Sequence, residues 1–194
     1  MIDNFSLNMK RRSKSNEAIL DTTFELLKEI GFQNLTIEGI AKRAKVGKTT
    51  IYRWWGSKGA LAVEAFLKKV EPSIYFEESG SAANDISQQM KKLADIFGSE
   101  EGRIIREILA TAQFDNETLL IFKDGFLKPR RLAAKDILQR GIQNGEFKES
   151  IEFDLILDML YGPIYYRLIT GDIPNDPIFL QALENIVLKG LIID

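Results

Sequence analysis

Apolar residues recur at helical spacing along almost the whole chain. Ile19, Leu20, Leu26, Leu27 and Ile30, with Thr23 among them, make the buried face of a first helix predicted over 15–30. Ser15 suits its N-cap, and Gly31 suits a left-handed stop. Ile37, Ile40, Ala41 and Ala44 fall at i, i+3, i+4 and i+7, the stripe of a second helix. Thr36 stands just ahead of it, where a hydroxyl can accept from free N–H groups of the first turn. Lys45, Val46 and Gly47 read as a tight turn, with Gly47 free to take φ > 0. In the short helix that follows, Ile51 and Trp55 share one side, leaving Lys48, Thr49, Thr50, Tyr52 and Arg53 mostly on the others. A fourth helix is predicted from the Ser57 cap through Lys58, Leu61, Phe66 and Val70 until Pro72 ends it.

The remaining pattern is also helical. A polar connection over 72–85 precedes helices predicted over 86–98 (Met90, Leu93, Ala94, Phe97), 103–114 (Ile104, Ile105, Ile108, Leu109) and 118–144. Pro129 lacks an N–H and should kink or split the last of these. Gly145, Glu146 and Phe147 turn the chain. The stretch 153–170 is apolar almost all round, which predicts one side in the chain's own core and the other against a second copy. A last helix is predicted over 178–191. The expected fold class is all-α, with no strand, fixed-period repeat or low-complexity segment.

Charge divides this string into two parts. Residues 1–58 hold 11 Lys and Arg against 6 Asp and Glu, a net +5, whereas residues 59–194 carry −7 within the overall −2. A basic head on an acidic body is expected where only the head meets phosphate. Lys10, Arg11, Arg12 and Lys14 add a basic cluster before the first helix, readable as a DNA-contacting arm or a solvated tail. The predicted domains are 1–58, an arm and DNA-binding head, and 59–194, a regulatory and dimerisation body, with helix 57–71 connecting them.

The chain contains neither Cys nor His. Disulfides, Cys-His and Ser-His-Asp nucleophile systems and the usual zinc sites are thereby excluded. No metal, cofactor or enzymatic activity is expected. No signal peptide and no run of about 18 apolar residues is seen, so the expected location is the cytoplasm.

Two helices joined by a short turn, the second presenting donors, describe a helix-turn-helix reader of duplex DNA. Residues 14–62 resemble the DNA-binding domain of the tetracycline-repressor (TetR/AcrR) family. The resemblance rests on Ile19-Leu20, Gly31-Phe32, Thr36, Ile40-Ala41, Ala44, Val46, Thr50-Ile51-Tyr52, Trp55, Ser57-Lys58 and Ala60-Leu61. It implies a homodimer on a palindromic operator, joined through the last two helices, and an effector bound in the body. By that resemblance Lys48 faces base edges, where Lys can bond guanine O6 and N7. Thr36, Lys58 and Tyr52 resemble backbone contacts. Thr49, Thr50 and Arg53 are candidate contacts to phosphate or bases, and Trp54 lies where the family often carries His or another aromatic.

Effector pockets are mostly apolar with a few polar groups. Phe97, Phe122, Phe126, Met159, Tyr161, Tyr165 and Arg167 are the candidates. Arg167 needs a partner, such as Glu107, Asp158 or an anionic effector. The expected function is a ligand-relieved repressor. An effector-independent DNA binder of the same fold is the first alternative, and a helical enzyme the second.

Overall fold

In the computed structural model, residues 14–191 are described; the basic cluster Lys10, Arg11 and Arg12 lies outside them. Ten α-helices follow one another among the described residues: α1 (Lys14–Asn34), α2 (Ile37–Ala44), α3 (Lys48–Trp54), α4 (Lys58–Val70), α5 (Ala82–Phe97), α6 (Glu100–Ala112), α7 (Asn116–Phe122), α8 (Lys128–Gln143), α9 (Phe153–Thr170) and α10 (Pro177–Leu191). No strand element occurs among the described residues, and no helix is long and apolar enough to cross a membrane. Two compact units result. The first comprises the described residues up to Val70 together with Ile104–Phe126, and the second Glu71–Arg103 with Leu127 onward. Helix 57–71, read from sequence as a connector, lies almost wholly within the first unit.

In the first unit α1 packs on α2 and α4, and α4 packs on α7. Ile19, Leu27, Leu35, Ile40, Ile51, Leu61 and Phe66 are fully buried there. α1 begins at Lys14, so Ser15 lies inside the helix rather than capping it. Gly31 takes φ 74° but ψ 170°, so it interrupts α1 without the left-handed stop that was expected, and one more turn runs to Asn34. A Cβ at Gly31 would stand 2.7 Å from Glu107 Oε2, and that oxygen accepts a 2.7 Å hydrogen bond from the Phe32 N–H. Gly59 is equally constrained, because a Cβ there would fall 1.7 Å from Thr118 Oγ1. Phe122 and Phe126 stack with centroids 5.0 Å apart, and Phe126 also meets Phe66.

The helix predicted over 118–144 is divided near Pro129 by a change of helix type rather than by an interruption, and the change begins earlier. Residues Lys123–Leu127 form one π-helical turn, and α8 then starts with Pro129 in its first turn, where a missing N–H costs little.

The second unit assembles α5, α8, α9 and α10, with α5 against α8, α9 and α10. α5 starts four residues earlier than the apolar pattern suggested. Its N-terminus is closed by the Ser81 hydroxyl and by the Glu146 carboxylate, which accepts from the Ala82 and Ala83 N–H groups. Gly145 supplies the positive φ that turns Glu146 toward them. Asp85 is buried and paired with Arg140, and it accepts from Ser79 N–H. Burial pushes its carboxyl up, but these hydrogen bonds and the guanidinium outweigh burial and leave it below its ordinary value. On α9, Leu157, Leu160, Ile164 and Leu168 are buried, whereas Leu155, Tyr166 and Ile169 are exposed. Ile178 and Ile186 of α10 are exposed as well.

Candidate nucleic-acid interface

The α2–turn–α3 unit is built from three local choices. Thr36 adopts an extended conformation, and its Oγ1 accepts from Gly39 N–H at 3.0 Å, which starts α2. Ile37, Ile40 and Ala41 bury its inner face. At the other end Lys45, not Gly47, takes the left-handed conformation, with φ 56° and ψ 42°. The Lys45 N–H and the Val46 N–H close the last carbonyls, Val46 reaching Ala41 O at 3.0 Å. Gly47, read from sequence as free to take φ > 0, has φ −75° and serves as the N-cap of α3. The sequence offered no signal for this exchange, because glycine is the usual occupant of the left-handed position.

α3 is held from behind by Ile51 and Trp55, both buried. Trp55 donates its indole N–H to Glu64 Oε2 of α4 at 2.6 Å. With these two anchored, Lys48, Thr49, Tyr52, Arg53 and Trp54 are exposed and Thr50 is half-buried. Trp54 is 50 % accessible and Tyr52 54 %, large values for aromatic side chains. Short as it is, α3 therefore presents a donor-rich, aromatic outer face, and Thr36 at the start of α2 is exposed as well.

Lys58 differs from these. Its ammonium donates to Phe32 O at 3.0 Å and lies 4.5 Å from the centre of the Phe32 ring. Burial lowers its pKa. Phe32 is thus gripped at both backbone groups, the N–H by Glu107 and the carbonyl by Lys58. Sequence reading missed Glu107 in this role, since 75 positions separate the partners.

Lys48 and Glu38 form an ion pair at 2.9 Å, both exposed. The hydrogen bond between them lowers the Glu38 carboxyl and raises the Lys48 ammonium, so each stabilises the other's charge. Arg43 of α2 makes a two-point contact with Glu29 of α1, at 2.5 and 2.6 Å.

The residues read as lining an effector site fall into both units. Phe122 and Phe126 are core of the first. Phe97, Met159, Tyr161, Tyr165 and Arg167 belong to the second, where Phe97 and Tyr165 meet edge to face at 4.9 Å. Met159 is exposed. The Tyr161 hydroxyl is buried without a hydrogen-bond partner, and burial raises the pKa of both Tyr161 and Tyr165. Arg167 pairs with neither Glu107 nor Asp158. It donates to Ile173 O at 2.9 Å, lies 3.5 Å from Asp176 and stacks 3.7 Å over Phe179. Asp158 is taken by Arg131 at 2.6 Å.

Comparison with known proteins agrees with this architecture. The model for bacterial regulatory proteins of the tetR family matches residues 19–65, and that for the tetracyclin repressor-like C-terminal domain matches residues 76–187. An uncharacterized HTH-type transcriptional regulator of Bacillus subtilis strain 168, YdeS, is 40% identical over 182 residues, covering 93% of this chain and 91% of its own. A regulator of the same description from Mycobacterium bovis, Mb1581, is 27% identical over 177 residues, 89% of this chain and 86% of its own. The crystal structure of the TetR family transcription regulator SCO0332 superposes with a TM-score of 0.79 at 30% identity, over 92% of this chain and 99% of that one. A family model over more than half the chain, a relative matched nearly end to end and an exposed α3 braced by Ile51 and Trp55 agree: this chain belongs to the TetR family of DNA-binding transcriptional regulators, a family of non-enzymes.

Proposed function

We propose that this regulator is a cytoplasmic repressor that binds a palindromic operator as a homodimer and is released from it by a small effector. The observation that carries the DNA-binding part is α3: Ile51 and Trp55 anchor it, and Lys48, Thr49, Tyr52, Arg53 and Trp54 remain exposed. In this reading Lys48 reads guanine, while Thr36, Thr49, Thr50, Tyr52, Arg53, Trp54 and Lys58 contact backbone or neighbouring bases. Lys58 acts on phosphate with a charge already oriented by Phe32 O.

Dimerisation is assigned to α9 and α10. Tyr166, Ile169, Ile178 and Ile186 expose more apolar surface than a solitary helix pair keeps in water. A second copy would cover them and set two recognition helices about one helical turn, ~34–36 Å, or somewhat more apart.

The effector is assigned to the aromatic part of the second unit. Tyr161 supports it, since a buried hydroxyl without a partner is uncommon and a ligand group would satisfy it. The ligand is accordingly a mostly apolar molecule with at least one hydrogen-bonding group. Release requires that it favour the DNA-incompetent arrangement by a coupling of about 1–3 kcal/mol, and DNA must weaken its binding by the same factor.

Selection from a random duplex library, followed by light scattering of the complex, tests the proposal. The expected result is a palindromic consensus bound by two copies. A monomer at micromolar concentration, or no enriched sequence, would overturn it. Calorimetry of an effector found by melting-shift screening, with and without the selected duplex, tests release; equal affinities would leave an effector-independent binder.

A further inference from the structure

We infer that Glu38 is a specificity-determining residue of the DNA interface, acting with Lys48 as a paired donor and acceptor. The inference rests on the reading that Lys48 faces base edges. Glu38 is the second residue of α2 and Lys48 the first of α3, so the α2–α3 turn brings them together across ten positions, Oε1 to Nζ at 2.9 Å. Both are exposed, next to the open face of α3. Glu38 is also out of place by charge, since a carboxylate beside approaching phosphates is repelled.

The pair gives that cost a use. A lone lysine is a flexible point charge that any phosphate can attract. Held by Glu38, its ammonium is drawn away from phosphates and kept in one position. At a guanine, Lys48 donates to O6 and N7, while Glu38 can accept from the N4 amino group of a cytosine. At a wrong base pair the carboxylate meets an acceptor or nothing, and its repulsion from the backbone is uncompensated. Glu38 therefore penalises non-specific DNA more than the operator.

Glu38→Gln tests this, measured by fluorescence anisotropy against the selected operator, its single-base-pair variants and random duplex over a range of salt. Affinity for random duplex should rise about tenfold, the operator-to-random ratio should fall by about the same factor, and the salt slope should steepen by about one unit. Glu29→Gln is the control, because it removes an equal charge on α1, one paired with Arg43 of α2. It should raise both affinities alike and leave the ratio unchanged. In the Lys48→Ala background, Glu38→Gln should change base preference less than it does alone. If Lys48→Ala alters base preference while Glu38→Gln leaves the ratio within about twofold, Glu38 is a solvated bystander and the inference is overturned. If Lys48→Ala itself leaves preference unaltered, the base-edge reading falls and takes the inference with it. Glu38 is exposed, so Glu38→Gln should melt with the parent protein, and a lowered Tm would assign its effect to folding.

Discussion

Lys45 shows how a single backbone angle can be invisible in a sequence. Its φ of 56° is unfavourable for a residue bearing a Cβ, and the more natural candidate, Gly47, stands two places on in an ordinary extended conformation. The two positions therefore respond oppositely to intuition. Lys45→Gly should stabilise the protein by about 0.5–1 kcal/mol despite glycine's larger unfolded-state entropy. Gly47→Ser should be tolerated and gain a few tenths of a kcal/mol as a better N-cap, about what that exchange is worth at other helix starts. Denaturant titration of both variants checks the assignment. Asp85 gives a second residue-scale expectation. Its folded pKa lies below the unfolded value, so its contribution is complete above that value and is lost as pH falls through the folded one. Stability should decline below about pH 4, and Asp85→Asn should cost about 1–3 kcal/mol at neutral pH while flattening that part of the profile. Thermal melts from pH 2 to 7 read both. Residues such as Thr36, Ile51 and Trp55 were legible beforehand, because capping and periodicity act within a few positions. Asp85, Glu107 and Arg167 were not, because their partners are chosen by tertiary contact.

At the scale of helices, existence was easier to read than extent. α2, α3 and α4 lie where the apolar stripes put them, and a division of the helix near Pro129 was legible, though not its cause. The π-helical turn over Lys123–Leu127 was not, since no residue type marks it. Nor did the pattern show how tightly α4 and α7 approach. Gly59 makes that approach possible, with Thr118 lying where a side chain would begin. Gly59→Ala should destabilise the first unit by about 1–3 kcal/mol through overpacking. Adding Thr118→Ala removes Oγ1 and Cγ2 from the clash and should recover part of the loss, though the hydroxyl's hydrogen bond to Asp115 goes with it. A double-mutant cycle by chemical denaturation measures the recovery, and strict additivity would mean that the two helices shift apart instead.

For the whole molecule, the all-round apolarity of 153–170 was the most informative pattern, because no single chain this small could bury it. α9 indeed divides into a buried row and an exposed one. Charge should therefore be poorly tolerated on the exposed row. Tyr166→Glu combined with Ile186→Glu should give a monomer by light scattering, folded by circular dichroism, with operator affinity reduced at least about a hundredfold if one half-site must bind alone.

The compact units follow a different line. Residues 104–126 lie far along the chain, within the stretch matched by the C-terminal family model, yet they complete the unit that holds α1 to α4. That arrangement bears on how such a regulator could be recombined. Transplanting residues 1–70 onto another body would carry the reading helices without the residues against which Gly59 and Phe66 pack, and without the carboxylate that holds the Phe32 N–H. A chimera that keeps its new specificity should need both pieces, the first 70 residues and the inserted segment, as one inheritance.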